Sequence, residues 1–161
     1  MTEQSLPMRQ RQGADLRQIW QQQLNSAPYV LVFDGECVLC SNFFRFVVKH
    51  DRAQQVRFVL AQSELGRQLY QALGLPCDSF ETNLVLRHGQ VFTKADGFAV
   101  LLDGFGGAWR LAQVIRLLPH WLKNPLYSLI ARNRYRLFGR YDRCMLPNPA
   151  LRHRFLDRGL G

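Results

Sequence analysis

The first tight apolar cluster is Tyr29-Val30-Leu31-Val32-Phe33, a run with no polar break. A short run without alternation predicts a strand buried on both faces. Asp34-Gly35 ends it with a turn signal. From Val38 to His50 the spacing is helical, with one apolar face. Val56–Leu60 reads as a second strand. A second helix is predicted over Ser63–Leu73, with Ser63 as N-cap and Gly74 as its stop. Thr82–Arg87 and Gln90–Thr93 flank His88-Gly89, the pattern of a β-hairpin. A helix over about Asp96–Leu102 follows.

The order is βαβ followed by ββα. A strand, helix and strand in so short a span imply a right-handed crossover and two parallel strands. The fold class is therefore α/β, with a mixed four-stranded sheet in the order of a minimal thioredoxin-like core. Residues 107–140 read as a helical C-terminal extension. Trp109–Leu118 is amphipathic and stopped by Pro119. Pro125 opens a further helix that Gly139 closes, and its helically spaced apolar residues predict one face packed on the core. Residues 1–28 look peripheral: the first ten are expected to be disordered, and Leu16, Ile19, Trp20 and Leu24 fall on one side of a short helix. One domain is predicted over 29–149, with a tail over 150–161.

Composition changes this picture little. A chain of 161 residues, 47% apolar, can bury one core without disulfide staples. No apolar h-region opens the chain, and no apolar stretch reaches roughly 18 residues, so neither a signal peptide nor a transmembrane segment is expected. The expected location is cytoplasmic, where thiols are kept reduced. Charge is more telling. Residues 110–161 carry eleven basic and two acidic groups, which accounts for the net charge of +9. The bland reading is a solubilising surface. The sharper one is an anionic partner at this basic region, with nucleic acid not favoured.

The candidate chemistry is Cys37-Val38-Leu39-Cys40, placed where a strand turns into a helix. The positive end of a helix stabilises a thiolate there. Cys37, at the helix start and facing solvent, is the expected nucleophile. Cys40, one turn later and more buried, is the expected resolving thiol. Asp34 either caps the turn through backbone N–H groups or accepts a proton from Cys40. Glu36 is expected to be merely solvated. No cofactor is called for, because two sulfurs carry the electrons. No metal is expected: zinc wants four ligands, and Cys77, Cys144 and four histidines form no second knuckle.

Asp34-Gly35-Glu36-Cys37-Val38-Leu39-Cys40 resembles the Asp-x-x-Cys-x-x-Cys signature of the DCC family of thiol-disulfide oxidoreductases. The segment Tyr127–Arg140, followed by Cys144 and Pro147, resembles the family's C-terminal motif. The resemblance implies a thioredoxin-like fold and dithiol–disulfide exchange with a protein or small-thiol substrate. It makes Asp34, Cys37 and Cys40 signature residues and Arg132, Arg134, Tyr135 and Cys144 possible accessories. The family tends to carry Ser near Ala95, where this chain departs. The alternative from another class is a binding module whose basic helices hold an anionic partner, with the dithiol as a redox-sensitive or metal-holding element.

Overall fold

The computed structural model describes residues 15–24, 27–142 and 148–157. Strand β1 (Tyr29–Phe33) lies inside a four-stranded sheet. It runs parallel to β2 (Val56–Leu60) and antiparallel to β3 (Leu84–Arg87), and β4 (Gln90–Thr93) pairs outside β3. All five residues of β1 are buried, as a non-alternating run on a central strand requires. The sheet is mixed and the architecture thioredoxin-like. At the hairpin, His88 and Gly89 hold φ of 48° and 79°, the positive pair that a two-residue turn of the right twist needs.

The alternation of β1 divides the core in two. Val30 and Val32 pack with Leu65, Leu69 and Tyr70 of α2 (Glu64–Ala72). Tyr29, Leu31 and Phe33 pack with Phe44 and Val47 of α1 (Val38–His50) and with Val100 and Leu101 of α3 (Lys94–Asp103). Phe44 stacks on Phe33 at 4.9 Å and meets Phe58 edge-on at 4.7 Å. Ser63 caps α2 by accepting the Gly66 N–H at 3.1 Å. Gly66 is needed for packing: a Cβ there would sit 2.1 Å from the Leu60 carbonyl oxygen. Leu16, Ile19, Trp20 and Leu24 of the N-terminal helical segment seal the α2 side.

The C-terminal region departs from expectation in three ways. The stretch read as an amphipathic helix over 109–118 is a 3-10 turn, Gly107–Gln113, followed by the short α4 (Val114–Leu117). Helix α5 runs from His120 to Phe138, with Pro119 as N-cap and Pro125 inside it. Pro125 gives up one helical hydrogen bond. The turn before it is nevertheless held, because Lys123 is buried and its Nζ lies 2.6 Å from Asp96 Oδ1 on α3. Third, α5 packs the other way round. Its inward stripe is Lys123, Tyr127, Ala131 and Arg134, while Leu122, Leu126, Leu129 and Leu137 are exposed.

The chain end returns to the sheet. A 3-10 turn over Pro149–Arg154 leads Phe155 into the core beside Phe44 and Phe58. Leu156 donates its N–H to the Phe58 carbonyl at 3.0 Å, and Arg154 forms a buried ion pair with Asp51. Part of the segment read as a tail is thus pinned along β2. Among the described residues, no helix is long and apolar enough to cross a membrane.

Candidate active site

Strand β1 delivers Asp34 and α1 begins at Val38, so the residues between them sit on the turn. Cys37 is the N-cap of α1, with extended backbone (φ −82°, ψ 120°). Its Sγ accepts the Cys40 N–H at 3.2 Å, and its carbonyl accepts the Ser41 N–H at 2.9 Å. The Cys37 thiol is lowered to about 7, first by the hydrogen bond from the Cys40 thiol. Burial opposes this, the Cys40 N–H and the Arg134 charge assist it, and the Asp34 charge opposes it. The same thiol–thiol bond, with burial, pushes Cys40 far up. Of the two sulfurs, Cys37 is therefore the one favoured to ionise.

The exposure expected of the two thiols is reversed. Cys37 is fully buried and Cys40 half-buried. The reason is a strap of chain directly after α5. Val38 donates its N–H to the Gly139 carbonyl at 3.4 Å, and Tyr141 donates its own to the Glu36 carbonyl at 2.8 Å. Arg140 thereby forms an antiparallel bridge with Cys37. Glu36 is not merely solvated: its carboxylate pairs with the Arg140 guanidinium and ties the strap down.

Asp34 is buried, and both its oxygens are saturated. Oδ1 accepts the Glu36 N–H at 2.9 Å and the Gln62 amide at 2.6 Å. Oδ2 accepts Arg134 Nη2 at 2.8 Å and the Tyr135 hydroxyl. Burial alone would raise this carboxyl, but the four donors outweigh it and hold it below its ordinary value. A carboxylate so held suits orienting the turn better than taking a proton, so of the two roles read from sequence the first fits the geometry. Arg134, 3% exposed, also bonds the Ser79 carbonyl at 2.9 Å and stacks over the Tyr135 ring at 4.6 Å. The loop that offers Ser79 is strained, with Phe80 at φ 43°.

The structure therefore gathers Asp34, Cys37, Cys40, Arg134 and Tyr135 at one place. Arg132 is not among them: it is exposed and lies 3.9 Å from Glu81. Cys144 and Pro147 lie outside the described residues. Cys77 is half-buried in a loop, with weak contacts to the Arg67 and Leu75 carbonyls. Gln62 was missed. It bridges the Gly35 N–H and Asp34, and only its position directly after β2, beside the end of β1, could have signalled that. Missed too was an apolar cavity of about 210 Å³ beside Cys40, lined by Phe43, Phe80, Phe98, Tyr127 and Ile130 among others. Among the described residues, no group of three or more His, Cys, Asp or Glu is placed to hold a metal ion.

A mixed sheet in this strand order, with a cysteine pair heading its first helix, defines a thioredoxin-like protein of the dithiol class. Residues 31–140 match the DCC1-like thiol-disulfide oxidoreductase family. The chain belongs to that family. It is 39% identical over 127 residues to the uncharacterized protein YuxK of Bacillus subtilis, covering 79% of this chain and 93% of the relative. It is 30% identical over 118 residues to a chloroplastic DCC family protein of Arabidopsis thaliana, At1g52590, covering 73% of this chain and 69% of the relative. No solved structure gives a significant match.

Proposed function

We propose that this protein exchanges the Cys37–Cys40 dithiol with the disulfide of a protein or of a small thiol compound. The observation that carries the reading is the Cys37 sulfur at the head of α1, accepting the Cys40 N–H at 3.2 Å, with a second free thiol one helical turn away. Near neutral pH such a sulfur is substantially thiolate, the form that attacks disulfides.

The Cys37 thiolate attacks one sulfur of the substrate disulfide. A Cys37–substrate bond forms, and the first substrate sulfur leaves as a thiolate. Cys40 then loses its proton and attacks the Cys37 sulfur, releasing the second substrate thiolate and closing the Cys37–Cys40 disulfide. Two electrons pass from the dithiol to the substrate. Cys37 has already given its proton to solvent and Cys40 gives up its own as it attacks; the two released substrate thiolates take up protons from solvent in balance. Run in reverse, the same steps oxidise a substrate dithiol. Because the strap covers Cys37, the substrate gains access by displacing Gly139–Tyr141. A substrate backbone in that place finds the Val38 N–H and the Glu36 carbonyl ready to pair. Asp34, held by Arg134, Tyr135 and Gln62, keeps the turn in shape while the strap moves.

The test is trapping. Cys40→Ser should leave Cys37 joined to its substrate as a mixed disulfide identifiable by mass spectrometry. Disulfide reduction that survives Cys37→Ser would sink the mechanism.

A further inference from the structure

Every large apolar side chain that is exposed among the described residues lies between Trp109 and Phe138. Leu117, Trp121 and Leu111 are 83%, 75% and 74% exposed, and Leu126, Leu129 and Leu137 continue the surface along α5. Scattered single residues of this kind need no explanation, but a set confined to one stretch of the chain does. Nor is this a helix loosely set down on the wrong side. Its inward stripe is anchored by two ion pairs with buried cations, Lys123 to Asp96 and Arg134 to Asp34. Turning the leucines inward would break both pairs and bury the leucines where the site now is.

Charge narrows what covers this face. No acidic residue occurs between Asp103 and Asp142. Between Trp109 and Phe138 the exposed arginines are Arg110, Arg116, Arg132 and Arg136; Arg110 lies 3.8 Å from Asp103 and Arg132 3.9 Å from Glu81. A second copy of the chain would bring these arginines against their own kind. An acidic protein would satisfy the arginines but would also need a matching apolar surface. An anionic lipid surface offers both at once: acyl chains for the leucines, a headgroup zone for Trp121, and negative charge for the arginines.

We propose that the 109–138 face docks the protein on the surface of an anionic bilayer, lying in the interface without crossing it. Ile130, 40% exposed on this face, also lines the cavity beside Cys40, so docking sets the dithiol close to the lipid surface. The proposal stands apart from the thiol chemistry, since none of its residues is a cysteine.

The experiment is flotation of the full chain with vesicles of phosphatidylcholine alone or mixed with phosphatidylglycerol. Binding is expected to the mixed vesicles, weak on the neutral ones and falling as salt rises, and Cys37→Ser should bind equally well. Arg132→Gln with Arg136→Gln should lower partitioning about thirtyfold, at about fivefold per basic residue near an anionic surface. Leu126→Gln with Leu129→Gln should lower it by about tenfold or more. All four positions are exposed, and unchanged thermal unfolding would show that the variants fold. Absence of binding to mixed vesicles at low salt would overturn the proposal, as would equal binding to neutral and anionic vesicles. So would sedimentation showing a dimer that Leu126→Gln with Leu129→Gln dissolves while vesicles are ignored, which would assign the face to self-association.

Discussion

Replacing Cys40 separates the forces on Cys37. Its thiol stands at about 7 against an ordinary value of 9.0, and the largest lowering cause is the proton offered by the Cys40 side chain. At pH 7 about half of such a sulfur is thiolate, whereas a fully relaxed thiol would show about one part in a hundred. Cys40→Ala removes the side-chain donor but leaves the residue-40 N–H and Arg134 in place. The thiol should therefore rise only part of the way, to about 8, with about a tenth ionised at pH 7. Cys40→Ser keeps an O–H donor and should stay near 7. Thiolate absorbance against pH, taken as a difference from Cys37→Ser, reads these values directly. Stability should follow. A group whose folded pKa is depressed adds stability above its unfolded pKa and loses it as pH falls through the folded pKa. The reduced protein should therefore gain in thermal midpoint between about pH 7 and 9, and Cys40→Ala should confine that gain to a narrower window. If the Ala and Ser variants titrate alike, or if Ala stays at about 7, the Cys40 proton is not what holds the thiolate and the helix terminus must be.

Arg134→Met leaves Asp34 charged and buried without its cation. Chemical denaturation should show a loss of about 3–5 kcal/mol, with Arg134→Lys in between, since it restores charge but not the fork of donors. Gly66→Ala drives a Cβ against the Leu60 carbonyl and should cost about 1–3 kcal/mol in the same assay; a neutral result would mean that α2 is free to shift. Arg140→Ala frees the strap from Glu36, so Cys37 should be alkylated severalfold faster at a fixed thiolate fraction. An unchanged rate would show that the ion pair plays no part in covering the thiol.

The sheet was legible because its signals are local. The unbroken Tyr29–Phe33 run, the Ser63 cap and the His88-Gly89 turn each name their structure within a few residues. The Cys37–Cys40 turn was legible for the same reason. Helix α5 was read with the wrong face inward, because hydrophobic patterning assumes that leucines face the core. Here the core-facing register of Lys123, Tyr127, Ala131 and Arg134 belongs to ion pairs whose partners lie 27 and 100 residues upstream. The burial of Cys37 was hidden likewise, since the strap that covers it arrives from Gly139–Tyr141. No periodicity announces a contact between separate elements. Pro125 misled because its preference for a helix start is a tendency that a buried lysine on the preceding turn can override.

The ion pair between Asp34 and Arg134 has a consequence for the protein's synthesis. The dithiol leaves the ribosome about a hundred residues ahead of the arginine that balances its carboxylate. Until α5 docks, Asp34 stands beside Cys37 as an unbalanced negative charge, which disfavours ionisation of the thiol. The arginine charge that favours the thiolate arrives only when the C-terminal helix closes over the sheet, and the same step lays the Gly139–Tyr141 strap over the sulfur it has helped to ionise.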